Sequence, residues 1–175
     1  MMKHNVLLIY SWFVRTFLYF FPEIKSIMRF RGWLYGLGMK KCGKDFRVTS
    51  DVTIKPLEKI EIGENIFIGN GTFILAGSGL IIESKVLIGP RNVIVSGNHT
   101  FLNGGFLGPS KGEQIVIGEG AWICANSTIT SGAIVPSCSI VAPNTVFGKY
   151  SASGSDALYG GGNVAKKIKI LGNQG

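Results

Sequence analysis

The sequence predicts an all-β fold, a solenoid of short parallel strands wound into a three-sided prism, with a helical segment in front of it. Three observations lead to this prediction. An aliphatic residue recurs every six positions over most of the chain, small residues keep a fixed place between the aliphatic ones, and Gly numbers 25 of 175 residues while charged residues make up only 16%. This composition suits many tight corners and few solvated helical faces.

The same composition excludes several other classes of protein. An apolar share of 46% provides a sizeable core, which rules out wholesale disorder. Gly has no period of three, which rules out collagen. The three cysteines, Cys42, Cys124 and Cys138, are scattered and odd in number. They therefore indicate isolated thiols in a reducing compartment rather than a disulfide scaffold.

Residues 1–47 form the basic, aromatic N-terminal helical segment. They hold nine Lys or Arg and two acidic residues, a net charge of +7, whereas residues 48–175 hold nine against eight, a net charge of +1. A basic segment that also carries 11 of the 19 aromatic residues can meet nucleic acid, a membrane surface or an anionic substrate. We expect no nucleic-acid partner, because the segment lacks a recognisable reading motif and the rest of the chain is nearly neutral.

An apolar run from Val6 to Phe21 predicts the first helix. Its sixteen residues fall short of the about 20 that a membrane-spanning helix needs, and Arg15 would be costly in hydrocarbon. A secretory signal is disfavoured because no small-x-small cleavage site follows. Two interpretations remain: the helix packs on the protein or a neighbouring subunit, or it lies in a membrane interface with its aromatic side chains at headgroup level. Pro22 then opens a second helix, from Glu23 to about Leu37.

The predicted solenoid covers residues 48–150, a loop interrupts it at 99–114, and residues 151–175 form a C-terminal tail. The six-residue rungs begin at Val48, Ile54, Ile62, Ile68, Ile74, Ile82, Ile88, Ile94, Ile117, Ile123, Ile129, Val135, Val141 and Phe147. Six is neither the helix period nor a simple alternation, so each rung indicates a short strand plus a corner, with its aliphatic residue inward. Fourteen rungs at three a coil give between four and five coils, stacked by parallel pairing.

Three rungs carry a resemblance to a known family. They are Ile-Gly-Glu-Asn-Ile-Phe from Ile62, Ile-Gly-Asn-Gly-Thr-Phe from Ile68 and Ile-Gly-Glu-Gly-Ala-Trp from Ile117. The chain resembles the hexapeptide-repeat acyltransferases over about residues 44–170. Within that family it is most similar to the maltose, galactoside and Nod-factor O-acetyltransferase branch, especially its bacterial polysaccharide-modifying members. The resemblance implies a left-handed parallel β-helix, a homotrimer and acetyl-CoA as co-substrate.

His99 is the candidate catalytic residue. It stands in Ser96-Gly97-Asn98-His99-Thr100, where the repeat breaks into the loop, and loops on a rigid scaffold are where sites are built. The resemblance implies that this His is the base that deprotonates a sugar hydroxyl, with direct transfer from the thioester and no acyl-enzyme. A neutral imidazole suits that task near neutral pH. The sequence does not identify the group that orients the imidazole of His99; Glu83 and Glu113 are candidates if the fold brings them close.

The resemblance also implies residues that bind acetyl-CoA. They are Trp122, Ala125, Ala142, Gly148, Lys149, Lys166 and Lys167. Trp122 would lie beside the acetyl-CoA channel, the Ala125 amide would donate to the oxyanion, and the two C-terminal lysines would meet CoA phosphates as point charges. The alternatives stay open: a corner aromatic at a subunit contact for Trp122, and a solvated tail for the lysines. A tail similar to the family's has Val164 in place of its Pro.

For the saccharide acceptor the resemblance implies an Asn or Asp one coil before the His, which makes Asn70 and Asn98 the candidates, with Asn92 as a further alternative; a corner Asn is also a plain turn residue. A covalent route would use Cys124 or Cys138, but neither is near a His in sequence, so both are expected to be structural.

Other functions remain as alternatives. An N-acetyltransferase acting on an amino sugar would use the same thioester and base. A binding scaffold without catalytic activity would have the same fold but would not transfer an acyl group. A zinc lyase of the γ-carbonic-anhydrase type needs three His ligands per metal, and the chain has only His4 and His99, so we expect no metal. The expected location is the cytoplasm, with a peripheral contact at the inner face of the membrane through residues 1–47 and a lipid-linked acceptor as one version of the hypothesis.

Overall fold

Five coils of short strands form the body of the protein in a computed structural model of the chain. The structure describes residues 2–100, 111–151 and 154–161, together with the backbone of residues 166–170. The coil strands are β1 (Lys41–Cys42), β2 (Phe46–Val48), β3 (Thr53–Lys55), β4 (Ile60–Ile62), β5 (Ile66–Ile68), β6 (Phe73–Leu75), β7 (Leu80–Ile82), β8 (Leu87–Ile88), β9 (Val93–Val95), β10 (Ile115–Ile117), β11 (Trp122–Ile123), β12 (Thr128–Thr130), β13 (Ile134–Val135), β14 (Ile140–Val141) and β15 (Val146–Phe147).

Each coil contributes one strand to each of three parallel sheets. Face A holds β1, β4, β7, β10 and β13, face B holds β2, β5, β8, β11 and β14, and face C holds β3, β6, β9, β12 and β15. Successive coils pair in register, for example Ile62 with Ile82 on face A and Ile123 with Val141 on face B. The predicted three-sided solenoid behind a helical segment is confirmed.

The first residue of every predicted rung points into the prism. All fourteen are at most 2% exposed, so the inward pattern is confirmed. Each such side chain contributes about 1.5–3 kcal/mol through removal of apolar surface from water. The small position between them is also buried in most rungs. Ser78 is an exception and is only half-buried, because two extra residues after Ile74 bring Ala76 and Leu80 inward instead.

The solenoid extends beyond both predicted boundaries. It begins at β1, where Cys42 pairs with Ile62, so the first coil precedes residue 48. A six-residue search for aliphatic residues misses this rung because its inward residue is Cys. At the other end β16 (Ala157–Gly160) extends face B in parallel, and β17 (Lys166–Ile170) pairs antiparallel with β16. The rings of Phe147 and Tyr159 meet edge to face, with centroids 5.5 Å apart, at this end of the core.

Two helices pack against the first coil, α1 (Met2–Leu18) and α2 (Lys25–Gly38). The second helix begins two residues later than predicted. Glu23, the predicted first residue, lies in extended chain, where its carboxylate accepts hydrogen bonds from Ser50 and Asn70 of the coils. The prism and α2 approach very closely: a Cβ at Gly32 would lie 2.0 Å from the carbonyl oxygen of Phe46, so only Gly fits there.

Arg31 ties both helices to the prism. Its side chain is fully buried, and its guanidinium donates to the carbonyl oxygen of Leu18 at 3.0 Å and to that of Val48 at 2.7 Å. Burial lowers the pKa of the guanidinium, and the nearby Glu23 partly opposes this effect. One buried cation therefore connects the end of α1, the middle of α2 and strand β2.

We expect Arg31→Leu to destabilise the protein strongly. The substitution leaves the carbonyl oxygen of Val48 without its donor, whereas that of Leu18 still accepts from the N–H of Phe21, so the free energy of unfolding is expected to fall by about 1–3 kcal/mol. Urea unfolding followed by circular dichroism measures the change. The control is Arg29→Leu, which removes an exposed Arg paired with Asp45 and should cost at most about 1 kcal/mol. Equal midpoints for the two variants would contradict the anchoring role.

Candidate functional site

The candidate residues fall on two different corners of the prism. The turns that lead from face B to face C form the B–C corner, and those that lead from face C to face A form the C–A corner. Residues 69–72, 89–92, 124–127 and 142–145 lie on the B–C corner, and residues 76–79, 96–100, 131–133 and 148–151 lie on the C–A corner.

His99 lies exposed on the C–A corner, four residues after β9 ends. Its backbone N–H donates to Oδ1 of Asn98 at 2.9 Å. The carbonyl oxygen of Asn98 in turn accepts from the N–H of Lys111 at 2.9 Å, which closes the base of the predicted loop. Asn98 therefore shapes the backbone beside the imidazole. The middle of the loop, residues 101–110, lies outside the described residues.

Gly112 lies where the chain returns from this loop to the coils, in close contact with the turn after β9. A Cβ at this position would lie 2.1 Å from the carbonyl oxygen of Ser96 and 2.9 Å from the Cα of Gly97. The buried Ser96 hydroxyl accepts from the N–H of Ser78 at 2.9 Å, which ties the corner to the coil before it. The corner on which His99 stands is therefore packed closely on the coils.

Ala125 lies on the B–C corner and offers a backbone donor. The carbonyl oxygen of Ala125 accepts from Asn144, but its N–H donates to no acceptor within the described part of the chain. The in-register positions of the coils on either side are Pro90 and Pro143, which have no N–H at all. The Ala125 N–H is thus an isolated donor on this stretch of the corner, and such a donor can stabilise an oxyanion.

Trp122 and Cys124 flank this corner in different ways. The Trp122 side chain points outward from face B, is 46% exposed and stands beside Leu87, its partner in β8. Cys124 is buried, and burial raises the pKa of its thiol. A thiol held in its neutral form is a poor nucleophile, so the structure favours the structural role expected for Cys124. Cys138 lies at an exposed corner with a φ of 53°.

The three other residues predicted to flank CoA, Ala142, Gly148 and Lys149, do not lie on the same corner. Ala142 lies on the B–C corner, where its N–H donates to Tyr159 at 2.7 Å. Gly148 and Lys149 lie on the C–A corner, and the ammonium of Lys149 forms an ion pair with Glu113 at 2.7 Å. The hydrogen bond to Glu113 raises the pKa of Lys149.

Of the two carboxylates considered as orienting partners for His99, only one is on its corner. Glu113 lies near the end of the predicted loop and pairs with Lys149 there. Glu83 lies on the opposite turn, from face A to face B, where it accepts from the N–H of Glu119 at 2.8 Å. Glu83 is therefore too remote to orient the imidazole, because face A separates the two corners.

The predicted acceptor residues have structural contacts. The side-chain amide of Asn70 donates to Glu23 at 2.5 Å, which anchors the linker between the helices. Asn92 is fully buried: it donates to Gly89 at 2.8 Å and accepts from the N–H of Ser127 at 2.8 Å. Asn92 is thus excluded from contact with an acceptor, whereas Asn98 is exposed beside His99.

Lys166 and Lys167 open β17, and the structure describes their backbone alone. Because β17 pairs with β16, this tail extends the sheet of face B, which also carries Trp122.

A cavity of about 600 Å³ lies elsewhere, between α2 and the first coil, and His99 does not line it. Among the described residues no group of three or more His, Cys, Asp or Glu side chains is arranged to hold a metal ion.

One chain does not bring together His99 and the Ala125 N–H, the base and the oxyanion donor predicted from the sequence. His99 and Ala125 are on corners separated by the width of face C, three strand residues or about 10 Å, and they belong to successive coils. A base and an oxyanion donor that act on one acyl transfer must each lie about 3 Å from adjoining atoms. Within one chain the two groups therefore do not meet.

The sequence alone could have revealed one feature of this site that the repeat analysis missed. Aligning the rungs places Asn70, Pro90, Ala125 and Pro143 at one position of successive coils. That column marks Ala125 as a backbone donor between two prolines. The anchoring role of Glu23 carries no comparable sequence signal, because its partners are 27 and 47 residues away.

Comparison with known proteins supports the fold. No family model matches the sequence. A hexapeptide-repeat-containing acetyltransferase from Vibrio cholerae O1 biovar eltor, solved with acetyl-coenzyme A, is similar with a TM-score of 0.78 and 21% identity, over 97% of this chain and 89% of that chain. A maltose O-acetyltransferase from Clostridium difficile 630 is similar with a TM-score of 0.78 and 18% identity, over 97% of this chain and 90% of that chain.

An N-acyltransferase from Bacillus cereus, a mutant solved with dTDP-4-amino-4,6-dideoxyglucose and coenzyme A, is similar with a TM-score of 0.64 and 17% identity, over 81% of this chain and 89% of that chain. At these identities the likeness shows the fold. The predicted left-handed parallel β-helix of the hexapeptide-repeat type is therefore confirmed.

Proposed function

We propose that the protein is an acetyl-CoA-dependent O-acetyltransferase that acts on a hydroxyl group of a bacterial saccharide or surface-polysaccharide precursor. The observation that carries the proposal is the pair of groups on two corners: an exposed His99 on a closed loop base and an unpartnered Ala125 N–H. The fold of solved acetyltransferases supports it, since structures of this fold have been solved with acetyl-CoA or CoA.

In the proposed reaction the imidazole of His99 removes the proton of the sugar hydroxyl as its oxygen attacks the thioester carbonyl carbon. The negative charge that develops on the carbonyl oxygen is stabilised by the N–H of Ala125. The carbon–sulfur bond then breaks, the acetyl group stays on the sugar oxygen as an ester, and the proton from His99 passes to the departing thiolate. No covalent enzyme intermediate is involved, in agreement with the buried, neutral Cys124 thiol.

The proposed active assembly is a homotrimer with one site at each contact between subunits. The separation of His99 and Ala125 in one chain supports this, because a contact that joins the C–A corner of one subunit to the B–C corner of the next would complete the site. The outward apolar residues Leu87, Trp122, Ile134 and Val146 provide surface for such contacts.

Mixed trimers test the function and the shared site together. Chains that carry His99→Ala and Ala125→Pro, each with its own tag, are co-expressed and purified through both tags. A mixed ring of three contains one contact that combines an intact His99 with an intact Ala125 amide, so about one-third of the wild-type acetylation rate is expected. Rings of His99→Ala chains bearing both tags are the control and should be inactive. Mixed rings that are as inactive as this control would contradict the shared site.

Transfer to an amino group is the second candidate function, and the likeness to an N-acyltransferase solved with an amino sugar nucleotide favours it. Both reactions require the same base. They differ in the product, because mild alkali hydrolyses an O-acetyl ester and leaves an N-acetyl amide intact. Mass spectrometry of glycans treated with acetyl-CoA and the protein, before and after alkali, distinguishes them: loss of the added acetyl group supports O-transfer, and its persistence overturns O-transfer in favour of N-transfer.

The proposed location is the cytoplasm, at the inner face of the membrane. Acetyl-CoA is a cytoplasmic metabolite, and the three cysteines are free thiols in the structure. A saccharide acceptor carried on a lipid would be reached at that face.

A further inference from the structure

The first helix buries Val14 and Leu18 against the protein and exposes a second apolar side outward. Ser11 is buried, and His4 is bonded to Glu58 near the first coil. The outward side is apolar and aromatic, with Ile9 66%, Phe13 55% and Phe17 60% exposed. The exposed apolar residues of α1 are Met2, Val6, Ile9, Trp12, Phe13 and Phe17. An ordinary surface helix is apolar only where it faces the core, so this second apolar side is surface that no described part of the chain covers.

The exposed face is continuous rather than a set of scattered side chains. The rings of Phe13 and Phe17 stack with centroids 5.7 Å apart, and Phe17 contacts Phe21 with centroids 6.1 Å apart. On α2 the outward rings of Phe30 and Trp33 also stack, at 5.8 Å. Contiguous exposed apolar surface of this kind marks an interaction site.

The charges around this face select its occupant. Residues 1–47 carry a net charge of +7, and Lys3, Lys25, Lys41 and Lys44 are exposed without an ion-pair partner in the described part of the chain. A second copy of the chain would bring the same positive charge to the contact and repel it. An anionic lipid surface is complementary, and aromatic side chains prefer its headgroup region.

The dimensions fit a helix that lies on a membrane rather than across it. The 17 residues of α1 span about 25 Å, and no helix within the described residues is long and apolar enough to cross a bilayer. A helix in the interface needs only to insert one face, and α1 exposes such a face.

A cationic cleft opens beside the aromatic face. It has a volume of about 210 Å³ and lies between α1 and strand β3, with Trp12 at its edge. Arg15 and Lys55 line it together with the buried Tyr35. The Nε atom of Arg15 is buried without a hydrogen-bond partner, and no acceptor among the described residues bonds to the terminal N–H groups of its guanidinium, so those groups are left for an external acceptor. A lipid phosphate is such an acceptor.

We propose that α1 lies in the interface of an anionic membrane, with Phe13 and Phe17 inserted among the lipids and the phosphate of an anionic lipid bound between Arg15 and Lys55. The cleft selects the lipid by charge, and the aromatic face holds the chain at the surface. The proposal is independent of acetyl transfer, since none of these residues belongs to the two corners of the candidate site.

Flotation of the full chain with lipid vesicles tests the proposal. Vesicles of phosphatidylcholine alone and with added phosphatidylglycerol are the probes. Phe13→Gln with Phe17→Gln should weaken binding to the anionic vesicles at least about tenfold, because two large apolar side chains no longer insert. Asn5→Gln with Thr16→Gln, two exposed polar positions of α1, is the matched control and should bind like wild type.

The cleft is tested by Arg15→Gln and Lys55→Gln. Each should weaken binding to the anionic vesicles about fivefold and leave any binding to phosphatidylcholine alone unchanged. Unaltered flotation of the Phe13 and Phe17 variant would overturn insertion, and unaltered lipid selectivity of both cleft variants would overturn the phosphate site. A chain that ignores all vesicles but forms larger oligomers, which the same Phe substitutions disperse, would overturn the proposal in favour of a second copy.

Discussion

Replacing His99 by Ala is expected to lower kcat for acetyl transfer by about 10²–10⁴-fold, the range that a positioned general base contributes. The loss is expected in kcat because, in the proposed reaction, the imidazole takes the proton only as the hydroxyl attacks. The fold should survive, because the side chain is exposed and substitutions at such positions usually change the free energy of unfolding by about 0.5 kcal/mol or less. Initial rates with saturating acetyl-CoA measure the effect.

The chain provides its own control for this variant. His4, the other histidine of the sequence, contacts Glu58 on the C–A corner of the first coil, two coils before the turn that carries His99. His4→Ala should therefore leave kcat unchanged. Affinity for CoA, measured by calorimetry, should be the same in wild type and His99→Ala. Full acetyl transfer by a folded His99→Ala trimer would refute the assignment of the base.

The architecture was predictable because the repeat is a local pattern with a geometric consequence. An aliphatic residue such as Ile123 must be buried every six positions if each coil has three equal sides, and the structure buries it. The rim position of His99 followed from the break in the same pattern. The first rung escaped prediction because Cys42 stands at its inward position, and the start of α2 was displaced because Glu23 bonds to Ser50 and Asn70 instead of entering the helix.

The arrangement of the site was less accessible to sequence, because it depends on which corner each residue occupies. Ala142 and Lys149 are only seven residues apart, yet they lie on different corners and make unrelated contacts. Likewise, a helical wheel of the sequence could not show which side of α1 faces the protein. The narrow polar stripe was visible in the sequence, but only the structure places Ser11 against the protein and the aromatic side outward.

Prolines in the coils on either side of Ala125 show how to remove its N–H without altering the corner. Pro90 and Pro143 occupy the same position in the coils before and after it, so the backbone of this corner accommodates proline. Because the Ala125 N–H has no partner in the described part of the chain, Ala125→Pro breaks no hydrogen bond there. Its thermal midpoint should therefore stay close to that of wild type.

We expect Ala125→Pro to lower kcat by about 10²–10³-fold, the usual cost of deleting one oxyanion donor. The KM for the acceptor should change little, because the N–H acts on charge that develops during the reaction rather than on the bound ground state. Ala125→Ser is the matched control, since it changes the side chain but keeps the N–H, and it should retain nearly full activity. A folded Ala125→Pro trimer with wild-type kcat would assign the oxyanion to another donor, and equal losses in both variants would attribute the effect to the side chain.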